Sequence, residues 1–482
     1  MVFSTIIFLF RFLPITLALY YLAPAKLKNT VLFLCSLVFY CWGEVRFFPV
    51  MVALILINYI SGLCIEHFDQ KPALRRTFLL VALIGSLGML FYFKYANFVL
   101  RSANALLGTA FAEIQGIGTL PLGISFYTFQ TLSYSIDVYR RDVKAERNII
   151  DFGAYVVMFP QLIAGPIVKY RDVSNQLHVY RHRYSLQQLE EGMTLFTFGL
   201  AKKVLLADAI GALWTDIIGV ADSPSTTFVG LANASTPLVW LGIIAYSLQL
   251  YFDFSGYSMM GIGMGKMLGF DFPQNFNYPY ISASITEFWR RWHMTLSGWF
   301  REYVYIPLGG NRKGTVRTYV NNFLTMLIGG LWHGAAWKFV FWGAMHGVGL
   351  AVHKMCKPVL SKIPDNWIVS FFSWLLTFVY VSLLWVFFRA ADFESSVLII
   401  RNIFVDFQWA QIPQFFEVRM VWCIMMLVLI VMHFVPQSWT DACGRLFVRS
   451  PWVVKWLAFL VVVQLVIEFM TEEVVPFIYF QF

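Results

Sequence analysis

Residues 367–388 read WIVSFFSWLLTFVYVSLLWVFF, with no Asp, Glu, Lys or Arg until Arg389 closes the run. The hydrocarbon layer of a bilayer is about 30 Å thick, and about 20 predominantly apolar helical residues cross it. This run has that length and is apolar on every face, which suits lipid or a wholly buried helix rather than the surface of a soluble protein. Comparable runs lie near 47–65, 77–93, 231–252, 419–435 and 452–470, with less clean ones between them. They predict an all-α integral membrane protein with about ten to twelve crossings. The whole of 1–482 then forms one polytopic domain with no separate soluble domain, ending in a C-terminal span and tail over 452–482.

Composition agrees. The chain is 59% hydrophobic and 13% charged, where an ordinary soluble domain carries roughly 25% charged residues. A formal charge of +9 would point to nucleic acid in a soluble chain. Here Lys and Arg stand in short loops between apolar runs, the pattern that keeps loops cytoplasmic and attracts anionic lipid, so the expected contacts are membrane lipids and not nucleic acid. Cys35, Cys41, Cys64, Cys356, Cys423 and Cys443 show no C-x-x-C pair and no regular spacing, so neither a disulfide framework nor a zinc site is expected. His178 and His182 are four apart in a basic stretch with no carboxylate nearby, a solvated face rather than a metal site.

Basic loops also set the orientation. Lys26 and Lys28 follow the first span, which places the N-terminus outside; Lys71, Arg75 and Arg76, then Lys354, Lys357 and Lys362, then Arg445, Arg449 and Lys455 alternate correctly with the spans between them. The crossing at 452–470 then carries the tail, 474–482, to the extracytoplasmic side. Segment 2–22 is followed by Ala23-Pro24-Ala25, a small-x-small pattern, but it lacks a basic start and is interrupted by Arg11 and Pro14. It reads as a retained span and not as a signal peptide.

The centre is different. Residues 274–317 hold Glu287, Arg290, Arg291, His293, Arg301, Glu302, Arg312, Lys313 and Arg317 among many aromatics and cannot cross lipid. The mixture predicts an amphipathic helix over 285–305, at the membrane surface or dipping into a cavity, and a similar one over 175–203. Glycines at 261, 265 and 269, and at 343 and 347, recur every four residues and predict close helix packing. Gly263 gives the first set a loose likeness to a nucleotide loop, but no strand precedes it. A G-x-S-x-G elbow and a Walker lysine are both absent.

Three positions stand out chemically. His333 sits in 318–337, a run without a charged residue, and an ionisable group at membrane depth is a functional candidate. The alternative is a neutral histidine bonded to a backbone carbonyl, as His346 and His433 in similar surroundings would also be. His293 ends the run Glu287-Phe-Trp-Arg-Arg-Trp-His293. On a helix it shares a face with Trp289 and Arg290, and a nearby cation would keep the imidazole neutral, the form a base needs; interfacial anchoring is the alternative. Asp253 closes the uncharged stretch 223–252 and needs a partner, expected to be a histidine or arginine of the central region. Asp137 and Asp208 read equally as lipid-interface residues.

Several motifs together carry a family likeness. Pro121-Leu-Gly-Ile-Ser-Phe-Tyr-Thr-Phe-Gln130, Asp137-Val-Tyr-Arg140, Phe159-Pro-Gln-Leu-Ile-Ala-Gly-Pro166, Tyr251-Phe-Asp-Phe-Ser-Gly-Tyr257, Ile285-Thr-Glu-Phe-Trp-Arg-Arg-Trp-His293 and Gly330-Leu-Trp-His-Gly334 resemble the membrane-bound O-acyltransferase superfamily over essentially the whole chain. The resemblance is strongest to its bacterial alginate O-acetylation branch. It implies a multi-pass ring of helices around a central funnel that narrows at a histidine, with the acyl donor arriving from the cytoplasm. It makes His333 the catalytic histidine and His293 a second one; Trp332, Asp253 and Arg290, which stand in these sequence motifs, are read as supporting residues. Met259 follows Ser258 where relatives often carry an acidic residue, so any catalytic role of that carboxylate is missing here. The ending Pro476-Phe-Ile-Tyr-Phe-Gln-Phe482 is similar to the terminal aromatic motif of a small partner in the teichoic-acid D-alanylation branch. That likeness implies Tyr479 as an acyl shuttle; an interfacial aromatic anchor is the alternative.

The function expected is transfer of an acyl group, with acetyl favoured, from a cytoplasmic thioester to a hydroxyl on the outer side of a bacterial inner membrane. Acetyl-CoA would serve as donor substrate and no cofactor would be bound. His333 would act as general base and His293 would orient or polarise. An extracytoplasmic esterase-like transferase is the partner expected to place the group on a polysaccharide. The rival is a transporter or channel for an acyl carrier or ion, with the histidines as a proton relay. Internal repeats would favour that rival, and none is found.

Overall fold

A computed structural model describes residues 2–117, 120–163, 165–179, 185–219, 231, 234–364 and 366–469. Among the described residues all regular structure is helical. Phe48–His67, Pro72–Leu107, Thr236–Met267 and Trp367–Arg389 are long and apolar enough to cross a membrane singly. Gln411–Val418 with Met420–Phe434 and Gln437–Arg449 with Trp452–Glu468 are sharply bent pairs, at 96° and 114°, that add two more if each pair counts as one span. Among the described residues, four to six of the expected ten to twelve crossings are long and apolar enough by themselves. Hydropathy cannot tell burial in protein from burial in lipid: the short helix Ile149–Val157 is buried from Asp151 to Val157, and its apolar character serves packing. At the N-terminus the expected span is a shorter apolar helix, Phe8–Leu22.

The chain divides into two compact units, one of Met1–Phe198 with Tyr257–Pro273 and one of Gly199–Gly256 with Gln274–Phe482. The helix Thr236–Met267 runs unbroken through the boundary at Gly256. In the first unit, helices Phe48–His67, Pro72–Leu90 and Ile124–Arg140 are joined by a buried polar link. Asn58 Nδ2 donates to Ser86 Oγ at 2.9 Å and to Leu54 O at 2.9 Å, and Ser135 Oγ donates to Asn58 Oδ1 at 2.8 Å. Such bonds hold helices together where apolar burial gives no preference between lipid and protein. Gly261 and Gly265 sit tight against Pro160 and Phe272, as the glycine spacing predicted, whereas Gly269 ends its helix with φ +83°, a turn role.

In the second unit, helices Thr315–His333 and Trp337–Leu360 pack most closely at Gly330 and Gly343. A Cβ on either would lie 2.9 Å from the other's Cα, so no side chain fits between them. Helix Trp367–Arg389 changes character along its length: Trp367, Phe372 and Leu376 are exposed, while Leu384, Trp385, Val386 and Phe388 are buried. The predicted helix over 285–305 is instead three pieces, Ile285–Arg291, Met294–Phe300 and the π-helical Arg301–Tyr305. Likewise 175–203 is divided between Tyr170–His178 and Leu186–Ala201.

Candidate active site

Helix Ile285–Arg291 begins where Ser284 Oγ accepts the Glu287 N–H at 3.2 Å and is braced by the Glu287–Arg291 ion pair at 2.9 Å. It stops before His293, whose backbone is left-handed at φ +43°. A residue other than glycine in that region costs on the order of 1–3 kcal/mol and persists only where its surroundings hold it. Asn275 does the holding: its backbone carbonyl accepts the Met294 N–H at 2.8 Å, and its Oδ1 accepts Thr295 Oγ1–H at 2.9 Å and Thr295 N–H at 3.3 Å. The break overturns the expectation that Arg290 and His293 share a helix face. Arg290 is exposed, His293 is fully buried, and burial alone pushes the imidazole pKa down to about 3.

The same asparagine fixes the ring's hydrogen. His293 Nδ1 lies 3.0 Å from Asn275 Oδ1. A backbone N–H can only donate, so the amide atom facing Thr295 N is the oxygen, and a ring nitrogen facing that oxygen must carry the hydrogen. Nε2 of neutral His293 is therefore a bare acceptor. It has no hydrogen-bond partner among the described residues, and neither has the buried Asn275 Nδ2. Each unfilled buried group costs about 1–3 kcal/mol. The "polarise" half of the role expected for His293 needs an N–H aimed at a carbonyl, which this neutral ring offers only to Asn275.

His333 ends helix Thr315–His333 and is buried. Its ring stands 4.9 Å from Trp332, 5.1 Å from Trp342 and 5.1 Å from Phe388, all near-perpendicular. The Gly330–Gly343 contact brings Trp342 there, and the inner half of Trp367–Arg389 supplies Phe388. The Trp332 indole is also 6.4 Å from the His293 ring, so one aromatic side chain touches both candidate histidines. His346 and His433, expected to be packing histidines, each have a nitrogen tied: Trp289 Nε1–H donates to His346 Nδ1 at 3.3 Å, and Tyr280 N–H donates to His433 Nε2 at 2.9 Å.

Asp253 is buried, and its partner is neither the histidine nor the arginine expected. Lys203 Nζ lies 3.0 Å from Asp253 Oδ1 and also pairs with Asp208. Lys203 belongs to the π-helical turn Lys202–Asp208. Of the two carboxylates read as interface residues, Asp208 is in this ion pair and Asp137 is fully buried. The next residue, Phe254, packs edge-on against His293 at 4.7 Å, which ties the ion pair to the site. His178 also differs from expectation, since its Nε2 is 3.0 Å from Glu146. Glu146, Asp151 and His178 place ligand atoms within 4.8 Å of one another, but Tyr170, Asn148 and Asn29 already donate to the two carboxylates, as in a structural polar link. His182 and Tyr479 lie outside the described residues.

Sequence reasoning missed Asn275, Thr295 and Lys203. Lys203 carried a signal, a lysine followed by Val204-Leu-Leu-Ala207 and then Asp208. Asn275 looked like one amide among several in a polar linker.

The sequence profile of the membrane-bound O-acyltransferase family matches residues 143–390, a range that holds Asp253, Asn275, His293 and His333. A probable alginate O-acetylase of Azotobacter vinelandii is 46% identical over 400 residues, 82% of this chain and 76% of that protein. A peptidoglycan O-acetyltransferase of Helicobacter pylori is 37% identical over 432 residues, 83% of this chain and 79% of that one. A teichoic acid D-alanyltransferase of Streptococcus thermophilus is 31% identical over 241 residues, 48% of this chain and 56% of that one.

Proposed function

The chain belongs to the membrane-bound O-acyltransferase family, and from that premise we propose that this multi-pass membrane acyltransferase moves acetyl groups from cytoplasmic acetyl-CoA to a hydroxyl serving O-acetylation of an extracytoplasmic polysaccharide. The observation that carries the reading is the shared indole of Trp332, which packs both His293 and His333 inside one buried aromatic cluster. Acyl transfer needs a base for the hydroxyl proton and fixed placement of the reactants, and two buried histidines supply both. In this reading the hydroxyl oxygen bonds to the acyl carbon, the C–S bond breaks, and the proton passes by way of a histidine of the pair to the departing thiolate. Two relatives named for O-acetylation support acetyl as the group.

The basic loops support an inner-membrane orientation with the donor side cytoplasmic and both termini outside. Tyr479 is the residue we assign to carry the acyl group outward, and an esterase-like extracytoplasmic transferase is the partner that would collect it. Purified protein in detergent, given acetyl-CoA labelled in the acetyl group, should release free CoA or become labelled. An absence of both, in detergent and in lipid vesicles, would leave the transport reading in its place.

A further inference from the structure

The geometry places the ring hydrogen of His293, and it does so through a side chain outside the motifs quoted above. Three donors converge on Asn275 Oδ1: His293 Nδ1, Thr295 Oγ1 and Thr295 N, at 3.0, 2.9 and 3.3 Å. The amide cannot flip, because its NH₂ would then face the Thr295 N–H. Met294 N–H on the Asn275 carbonyl, and Asn277 N–H on the Arg291 carbonyl at 2.9 Å, pin the 275–277 strand of chain to the helix break from both sides. Asn275 is itself 1% exposed and His293 0%, so water does not compete for these bonds. What remains open is one buried acceptor, His293 Nε2, and one buried donor, Asn275 Nδ2. An acyl-transfer pair brings the complements of both, a hydroxyl hydrogen and a carbonyl oxygen.

We propose that Asn275 is a positioning residue for acyl transfer: it holds His293 with its hydrogen on Nδ1, so that Nε2 stays a fixed acceptor for the hydrogen of the acyl-accepting hydroxyl. The inference rests on the acyl-transfer reading above and deepens it. A hydroxyl docked this way turns its lone pairs away from the ring and toward the thioester carbon. As the C–O bond forms and the C–S bond breaks, the hydroxyl proton leaves into the histidine pair and ends on the thiolate, giving ester and thiol. Without the lock the ring has two tautomers, and in one of them Nε2–H repels the hydroxyl hydrogen. A wrongly held tautomer beside a nucleophile costs a hydrolase about 10⁴ in rate, whereas a ring released to both tautomers loses only the share that takes the wrong one.

Two substitutions separate the lock from simple packing. Asn275→Leu removes the acceptor, and turnover of acetyl-CoA should fall about two- to tenfold, by the share of the ring that takes the wrong tautomer, with KM for acetyl-CoA unchanged and protein abundance retained. Asn275→Asp keeps an oxygen facing Nδ1 and adds a negative charge, which raises the His293 pKa. That variant should retain most turnover, and because the acceptor must be neutral, the acid limb of its pH–rate profile should move to higher pH. Full-length protein labelled with ¹⁵N-histidine in detergent, with His293→Gln to assign the signal, reads the tautomer directly. The wild type should show hydrogen on Nδ1 alone and Asn275→Leu a mixture. Hydrogen on Nε2 in the wild type overturns the proposal, as does an Asn275→Asp profile identical to wild type. If Asn275→Leu does not reach the membrane, that profile and the wild-type ring signal still decide. Failure of the wild type to turn over acetyl-CoA would sink the acyl-transfer reading instead, and the ring signal would then judge the lock alone.

Discussion

Asn58 in the first unit and Asn275 in the second are both buried asparagines surrounded by helices, and they use their amides differently. Asn58 donates twice and accepts once, and its three helices are tied with nothing left over. Asn275 accepts three donors on one oxygen and leaves its Nδ2 unmatched, next to a histidine with an unmatched Nε2. A closed polar network stabilises packing; an open one at comparable burial carries a standing cost that only an incoming group removes. What places Asn275 with the candidate site is that its unmatched donor lies beside the unmatched acceptor of the histidine it holds.

The contrast breaks most sharply at His333. His333→Ala should reduce glycan acetylation by about 10²–10⁴-fold with the protein still in the membrane, because alanine is easier to bury than imidazole. Near-wild-type acetylation in cells would remove His333 from the chemistry. His293→Ala should leave lowered but measurable activity, about 10-fold to 10²-fold down, again at normal abundance; a loss of protein instead would move His293 to the scaffold side of the comparison.

Smaller effects sharpen it. Lys203→Met strands Asp253 beside Asp208 without their cation, and breaking a buried pair costs about 3–5 kcal/mol. Thermal stability in detergent and membrane abundance should both fall, and Lys203→Met combined with Asp253→Leu should recover part of the loss; a single variant as stable as wild type would show that the pair contributes nothing. Asn58→Leu should cost about 1 kcal/mol of stability with activity per molecule unchanged, the opposite of Asn275→Leu. Arg290→Ala is the smallest. An exposed arginine off the His293 face should leave turnover within about twofold of wild type, and a larger drop would reinstate it as a supporting residue.

Much of the fold was legible because its signals are local. The run 367–388 and the glycine pair 343 and 347 need only hydropathy and spacing, and His333 announced itself as the lone histidine in 318–337, a run without Asp, Glu, Lys or Arg. His293 was picked out as a candidate but placed on the wrong backbone. The break that repositions it depends on Asn275, 18 residues earlier, and no helical periodicity reports a contact of that range. Asp253 shows the same limit, since its partner Lys203 sits on a turn far upstream. Hydropathy has a limit of its own: segments such as 152–157 are apolar because protein surrounds them, and a hydropathy scale has no term for what does the surrounding.

The Gly330–Gly343 contact has a consequence for anyone wishing to change which acyl chain this protein accepts. The helix that ends in His333 and the helix that carries Trp342 are two backbones in touch there, with no side chain to trim, so opening space between them is closed to substitution. Redesign has to come from Trp342 or Phe388, whose rings can be shortened one atom group at a time, while the glycines act as the fixed jaw of the vice.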